Sequence, residues 1–245
     1  MIPRVIHYCW FGRNPLPPLA VKCIESWKKY FPDYEIKEWN EDNFDVNSIL
    51  YTKEAYEMKK YAFVSDYARF WILYHYGGLY FDTDVEVIKS MDDIIAKGPF
   101  MGCEKDAHPG ATASAVAPGL GLGVNPGLGL YGELLQLYST LRFIKDDGGL
   151  NLKTVVNYTT ELLCFHGLKN STKIQEVAGV RIYPKEYFCP MDYQTKKVVI
   201  TSNTYAIHHY AESWVPRYTK FMNFMERFIG KNNMRILSNI KRSVF

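Results

Sequence analysis

The stretch Tyr61-Ala-Phe-Val-Ser-Asp-Tyr-Ala-Arg-Phe-Trp-Ile-Leu-Tyr-His-Tyr-Gly-Gly-Leu-Tyr-Phe-Asp-Thr-Asp84 decides how the chain is read. Its first part predicts a helix over about residues 62–76, stopped by Gly77-Gly78 acting as cap and turn. Leu79 to Phe81 then reads as a short buried strand running into Asp82-Thr83-Asp84, with Val85 to Ile88 still extended. Asp66 and Arg69 stand three apart and so share one helix face. Asp82 and Asp84 stand two apart, and in extended chain they also share a face. The glycine pair folds the helix back beside the strand, which gathers three carboxylates and a guanidinium around one pocket. Carboxylate oxygens at a strand end suit a hard divalent cation, Mg²⁺ or Mn²⁺, that takes few protein ligands and completes its shell with substrate phosphates. Arg69 suits an anion or neighbouring hydroxyls. A D-x-D alone is usually a solvated turn, and Asp66 with Arg69 alone is a helix-face ion pair. The order and spacing of all four carry the signal.

Working outward, Arg4 to Phe11 is rich in β-branched and aromatic residues and stops at Gly12, a first strand. Pro15, Pro17 and Pro18 open a helix over 19–31 with Ala20, Cys23, Ile24, Trp27 and Phe31 on one face. Tyr34 to Trp39 is a second strand. Strand, helix and strand this close together form a βαβ unit, which predicts an α/β fold with a parallel sheet. Helices are expected at about 52–60, 130–143 and 153–166, and strands at 177–183, 198–200 and 204–209. Residues 107–129 are rich in Ala, Gly, Pro and Ser and read as a flexible loop or a closely packed backbone segment. Their Gly-x-Gly pattern has no preceding strand and is incomplete, so it is not a dinucleotide fingerprint.

At 245 residues the length suits one domain, here 1–215, with a tail over 216–245. Hydrophobic residues at 47% and charged residues at 22% exclude a disordered chain, and no run approaches the roughly 20 apolar residues of a membrane span. The start lacks a basic leader followed by a long apolar core, so no secretory signal is expected. Five scattered cysteines without a C-x-x-C read as reduced thiols of a cytoplasmic protein. From Arg217 onward seven Lys or Arg face one acid, leaving 22 basic against 25 acidic residues in the body. That asymmetry argues against whole-protein nucleic-acid binding and for a local contact with something anionic. The tail also carries Phe221, Met222, Phe224, Met225, Phe228 and Ile229. It reads either as a helix packed on the body or as a peripheral contact with an anionic membrane surface.

The gap-free pattern A-x-x-S-D-x-x-R-x-x-x-L-x-x-x-G-G-x-Y-x-D-x-D, from Ala62 to Asp84, resembles the DXD signature of the sugar-nucleotide-dependent glycosyltransferases of family 32. It is similar at the same positions to the catalytic domain of clostridial glucosylating toxins. Ile6-His-Tyr-Cys-Trp-Phe-Gly12 resembles the family's first strand, and Ala206-Ile-His-His-Tyr-Ala-Glu-Ser-Trp214 its closing segment. The resemblance implies a GT-A fold, a nucleotide-sugar donor, Mn²⁺ or Mg²⁺, and retention of anomeric configuration. It implies that Trp10 stacks on the nucleobase, that Ser65, Asp66 and Arg69 line the donor sugar with Arg69 near the phosphates, and that Tyr80 packs beside the donor. Asp82 would reach ribose and sugar as well as the metal, Asp84 would bind the metal, and Ser213 and Trp214 would lie against the diphosphate. His208 and His209 are both candidate metal ligands, since neighbours on a strand face opposite ways; the family's histidine, six residues before the tryptophan, aligns with His208.

The expected activity is transfer of a hexose or N-acetylhexosamine, UDP-linked by preference with GDP-mannose left open, to a glycan acceptor. Asp66, Arg69 and Asp82 are the catalytic candidates. The acceptor expected is a lipid-linked intermediate of bacterial capsular polysaccharide or lipopolysaccharide, met at the inner face of the cytoplasmic membrane. A toxin-like protein glycosyltransferase and an inactive glycan-binding module are the alternatives. A haloacid-dehalogenase-type phosphatase also has a D-x-D after a buried strand, but near its domain start and with a small hydroxyl or valine where this chain has Glu86.

Overall fold

The computed structural model describes residues 1–106, 110 and 113–211. The chain divides into two compact units, Met1–Tyr210 and Ala211–Phe245. The predicted tail, Ser213 and Trp214 fall outside the described residues.

The first unit opens with the expected βαβ motif: β1 (Val5–Cys9), α1 (Pro18–Tyr30) and β2 (Glu35–Trp39), the strands parallel. Pro18 starts α1 at its first turn, where a missing N–H costs nothing. There follow α2 (Leu50–Glu57), α3 (Tyr61–Tyr76), β3 (Gly78–Tyr80), β4 (Val85–Val87), α4 (Asp92–Ile95), β5 (Phe100–Lys105), β6 (Ala115–Val116) and β7 (Leu122–Val124). The unit is completed by α5 (Gly129–Ser139), α6 (Val155–Phe165), β8 (Gln175–Val177), β9 (Val180–Tyr183), α7 (Lys185–Phe188) and β10 (Ala206–His208). Thr154 and Asn157 close a capping box at the start of α6.

The main sheet runs β2-β1-β3-β7-β5-β9-β8, with β6 on β5, and β4 pairs separately with β10. It is mixed, which corrects the expected parallel sheet. β1 is parallel to β2 and β3, and β5 to β9, but β7 is antiparallel to both its neighbours and β8 to β9. Side chains alternate between two cores. Ile6, Tyr8, Leu79, Phe81 and Phe100 pack with α1, α4 and α7 on one face. Cys9, Tyr80, Met101, Leu122 and Ile182 pack with α2, α3, α5 and α6 on the other. The result is a three-layer α/β sandwich.

Three further expectations change. Residues 198–200 form no strand; only Val198 makes an isolated bridge, to Met191. Residues 175–183 are a hairpin, turned by Ala178 (φ 50°) and Gly179 (φ 75°), the pair of positive angles that a tight two-residue turn needs. The glycine-rich stretch is the packed alternative of its two readings, because it supplies β7 to the middle of the sheet. Gly123 permits this: a Cβ there would lie 2.1 Å from the Phe100 ring. Among the described residues no helix is long and apolar enough to cross a membrane.

Candidate active site

The site is built where α3 meets β3. Gly77 ends α3 with φ 64°, its N–H bonded to the Leu73 carbonyl at 2.9 Å, and Gly78 begins β3 with φ 99°. Neither can be replaced without collision, since added Cβ atoms would meet Pro126 at 2.6 Å and the Val5 carbonyl at 2.7 Å. His7 secures the same corner. Trp39 Nε1–H donates to His7 Nδ1 at 3.0 Å, so His7 carries its proton on Nε2, which donates to the Gly77 carbonyl at 3.0 Å. Burial holds this imidazole neutral, lowering its pKa to about 4.

The D-x-D is a turn, not extended chain as expected. Val85 N–H donates to the Asp82 carbonyl at 3.0 Å, closing Asp82-Thr83-Asp84-Val85 on itself. The two carboxylates therefore hold separate partners. Asp82 Oδ2 accepts from Arg69 Nη1 at 3.3 Å and its Oδ1 from the Tyr80 hydroxyl at 3.1 Å. Arg69 is 4% exposed; its Nη2 donates to Asp66 Oδ1 at 2.9 Å, its Nε to the Ser65 carbonyl at 3.1 Å, and its guanidinium lies 5.0 Å over the Tyr80 ring. Asp66, Arg69, Tyr80 and Asp82 thus form one connected cluster. Burial raises the Asp66 carboxyl above its usual range, with the Arg69 charge opposing it. Burial also disfavours the Arg69 charge, but Asp82, Tyr80 and Asp66 more than offset it. Ser65 enters through its backbone, while its own hydroxyl donates to the Tyr61 carbonyl.

On the other side of the turn, Asp84 Oδ2 lies 3.3 Å from His208 Nε2. Antiparallel pairing sets His208 opposite Val85, and the His209 N–H donates to the Asp84 carbonyl at 2.9 Å. The imidazole of His209 turns to Glu86, with Nε2 to Oε2 at 2.7 Å, and Lys22 also reaches Glu86 at 2.8 Å. The structure therefore joins His208 to Asp84 and His209 to Glu86. Burial pulls the His208 pKa down, but the adjacent Asp84 carboxylate outweighs it and leaves it raised to about 10.

These residues fit a divalent cation. Two ligands at right angles about an ion with bonds of roughly 2.1 Å stand about 3 Å apart, close to the Asp84–His208 separation. A carboxylate with an imidazole is a donor set that Mn²⁺ accepts. Among the described residues no three His, Cys, Asp or Glu side chains could hold a metal by themselves.

Trp10 sits half-buried just past the C-terminal end of β1, its indole N–H donating to the Asn14 carbonyl at 2.6 Å. Ligands of open α/β sheets gather at that end. Sequence reading missed Gly119. The Asp82 N–H donates to its carbonyl at 3.0 Å, and a Cβ on Gly119 would stand 1.9 Å from Asp82 Oδ2. The signal was present in the alternation of Gly119, Gly121 and Gly123 with Leu120, Leu122 and Val124, a period of two with one face bare of side chains. The cysteines are free, and burial pushes Cys9, Cys23 and Cys103 up to about 12, which keeps them as inert thiols.

Residues 17–101 match the family model described as the glycosyltransferase sugar-binding region containing DXD motif. Inositol phosphoceramide mannosyltransferase 1 of Schizosaccharomyces pombe is 31% identical over 111 residues, which are 41% of this chain and 33% of that protein. An uncharacterized glycosyltransferase of Acanthamoeba polyphaga mimivirus is 32% identical over 111 residues, covering 43% of this chain and 44% of its own. The matched segment thus spans between a third and a half of these relatives. Among solved structures, a glycosyltransferase involved in the glycosylation of the major capsid of PBCV-1 superposes with a TM-score of 0.50 at 11% identity, covering 85% of this chain and 95% of its own. That likeness establishes the fold as the GT-A type. Over residues 17–101 the chain is similar to the sugar-binding region containing DXD motif of glycosyltransferases.

Proposed function

We propose that the protein is a metal-dependent, retaining glycosyltransferase that moves a hexose or N-acetylhexosamine from a nucleotide sugar, UDP-linked by preference, to a glycan on a lipid carrier. The observation that carries the reading is the split turn. Asp82 is locked into a buried cluster with Arg69, Tyr80 and Asp66, while Asp84 two residues on is paired with a histidine from a distant strand. A purely structural D-x-D has no need of both.

In this reading Asp84 and His208 hold the cation, with Asp82 beside them. When bound, the cation supplies charge neutralisation for the departing nucleoside diphosphate. Asp82 keeps 32% of its side chain exposed and presents its carboxylate to donor hydroxyls. Asp66 lies beneath, and acts by fixing Arg69, which in turn fixes Asp82. The Arg69 charge also stabilises anionic charge developing above the cluster. Trp10 offers its indole face to the nucleobase. Retention follows from attack on the same face as departure. The bond from anomeric carbon to phosphate oxygen breaks, the bond to the acceptor oxygen forms, and the acceptor proton passes to the leaving phosphate. No protein nucleophile is required.

The acceptor class rests on the company the chain keeps. One relative is named for mannosyl transfer to inositol phosphoceramide, a lipid. That favours a lipid-borne acceptor and keeps mannose among the hexoses. For this chain we assign the reaction to polysaccharide assembly, as in capsule or lipopolysaccharide synthesis, at the cytoplasmic face of a membrane.

The test is nucleoside-diphosphate release from a panel of nucleotide sugars with Mn²⁺, Mg²⁺ or EDTA, alongside calorimetric donor titration. Release from one donor that needs metal and disappears in Asp84→Asn is the expected result and names the sugar. Donor binding without release points to an obligatory acceptor. An absence of metal-dependent donor binding overturns the transferase reading in favour of a glycan-binding module.

A further inference from the structure

His208 is the group whose orientation the metal side of the site depends on, and nothing in β10 itself fixes its ring. The strand ends at His208, and the chain then makes an unusual backbone choice. Tyr210 sits in the left-handed region with φ 50°, a conformation that bulky L-residues adopt at a cost of about 1–3 kcal/mol. The strain has a visible result. The Tyr210 ring comes back against the His208 imidazole, with centroids 4.2 Å apart and planes at 48°. The phenol is held at its far end by Cys189, with Oη to Sγ at 3.0 Å. Its flank is covered by Tyr193, edge-on at 5.1 Å, and Lys196 Nζ lies 4.8 and 5.2 Å over the Tyr193 and Tyr210 rings. Cys189, which holds the Tyr210 hydroxyl, is also the side-chain hydrogen-bond neighbour of His208, so the imidazole lacks at Nδ1 the carboxylate or carbonyl partner that usually steers a metal-bound histidine. Packing against the Tyr210 ring supplies the rest of its orientation.

We infer that Tyr210 is a positioning residue: its ring, forced inward by a left-handed backbone and anchored on Cys189, sets the His208 imidazole so that Nε2 faces Asp84 and the cation between them. This rests on the reading that His208 is a metal ligand. Asp84, Cys189, Tyr193, Lys196, Glu104 and Asp192 are the reactive or charged groups around the pair. Asp84 meets the imidazole, Cys189 meets both rings, and the others face the phenol.

The experiment is Mn²⁺ binding to the full-length protein in the presence of UDP, followed by the electron paramagnetic resonance signal of free Mn²⁺. UDP affinity in EDTA and thermal unfolding are measured on the same samples. Tyr210→Ala is expected to weaken Mn²⁺ binding about 10- to 100-fold, the range seen when partners that orient metal ligands are lost, with metal-free UDP affinity unchanged. Tyr210→Phe keeps the ring but loses its Cys189 anchor, and is expected to fall between wild type and Tyr210→Ala. Tyr210→Gly separates backbone from ring. It relieves the left-handed strain and so preserves the melting temperature, yet should lose Mn²⁺ as Tyr210→Ala does. If His208→Ala weakens Mn²⁺ binding and Tyr210→Ala and Tyr210→Gly do not, the positioning role is wrong and the ligand assignment stands. If His208→Ala has no effect, or the wild type takes up no Mn²⁺, both fall together.

Discussion

The two carboxylates of the Asp82-Thr83-Asp84 turn are held in opposite ways. Asp82 belongs to a cluster assembled by local sequence, with Arg69 and Asp66 one helical turn apart on α3 and Tyr80 two residues upstream on β3. Asp84 depends on a histidine 124 positions further along the chain, brought in by an antiparallel pair of three-residue strands. The first arrangement is buried and charge-balanced, so it is stiff and costly to break. The second joins two half-buried groups 3.3 Å apart from strands distant in sequence. One side of the turn is built for stability and orientation, and the other is the side we propose for reversible occupancy by a cation.

Substitutions can break this comparison, and the largest effect is expected on the Asp84 side. Asp84→Asn should lower donor turnover by about a thousandfold, several kcal/mol of transition-state stabilisation, while urea unfolding stays within about 1 kcal/mol of wild type because the residue is not deep in the core. On the Asp82 side the main effect is on the fold. Arg69→Ala leaves Asp66 and Asp82 without their counter-charge and should cost about 3–5 kcal/mol in denaturant unfolding; a loss below about 1 kcal/mol would show that the cluster does not carry the stability assigned to it.

His7, beneath the corner that both sides share, gives a pH-dependent measure of the scaffold. Its folded pKa of about 4 lies below the 6.5 of an ordinary imidazole. Its contribution to stability is therefore complete above about pH 6.5 and is lost as the pH falls toward 4, up to about 3 kcal/mol. Unfolding free energies across that window should flatten in His7→Gln. The smallest expected effect sharpens the contrast most: Gly119→Ala pushes a methyl group into Asp82 Oδ2 and should reduce turnover about tenfold at saturating metal, with little change in Mn²⁺ affinity.

The legible parts of the molecule were those with local rules. The i, i+3 spacing of Asp66 and Arg69, the glycine pair after Tyr76 and the βαβ opening all follow from chain geometry within a few residues. The far half of the sheet was not legible. β5 follows Gly98-Pro99 without an alternating pattern, and the middle residue of β7 is Gly123 because the Phe100 ring fills the space a side chain there would take. Both strands are specified by partners distant in sequence. Val198-Val199-Ile200 taught the converse. Its β-branched residues read as a strand, yet Val199 and Ile200 are 56% and 59% exposed and no neighbouring strand takes them up. The turn at Asp82 was misread for a similar reason, since its closing bond depends on β4 and its amide on Gly119.

That last bond bears on how the protein assembles. By residue 84 the emerging chain already holds α3, β3 and the whole D-x-D, and β2-β1-β3 can pair through short crossovers. The Asp82 amide must nevertheless wait for the Gly119 carbonyl, and β3 stays an open edge until β7 arrives more than 40 residues later. His208 comes later still, after another 84 residues. Closing such long loops is slow even where its thermodynamic cost is small. During synthesis the sugar-binding motif therefore exists as sequence well before it exists as a site, and a nascent chain halted after β5 would carry every acidic residue of the D-x-D with neither the wall behind Asp82 nor the partner of Asp84.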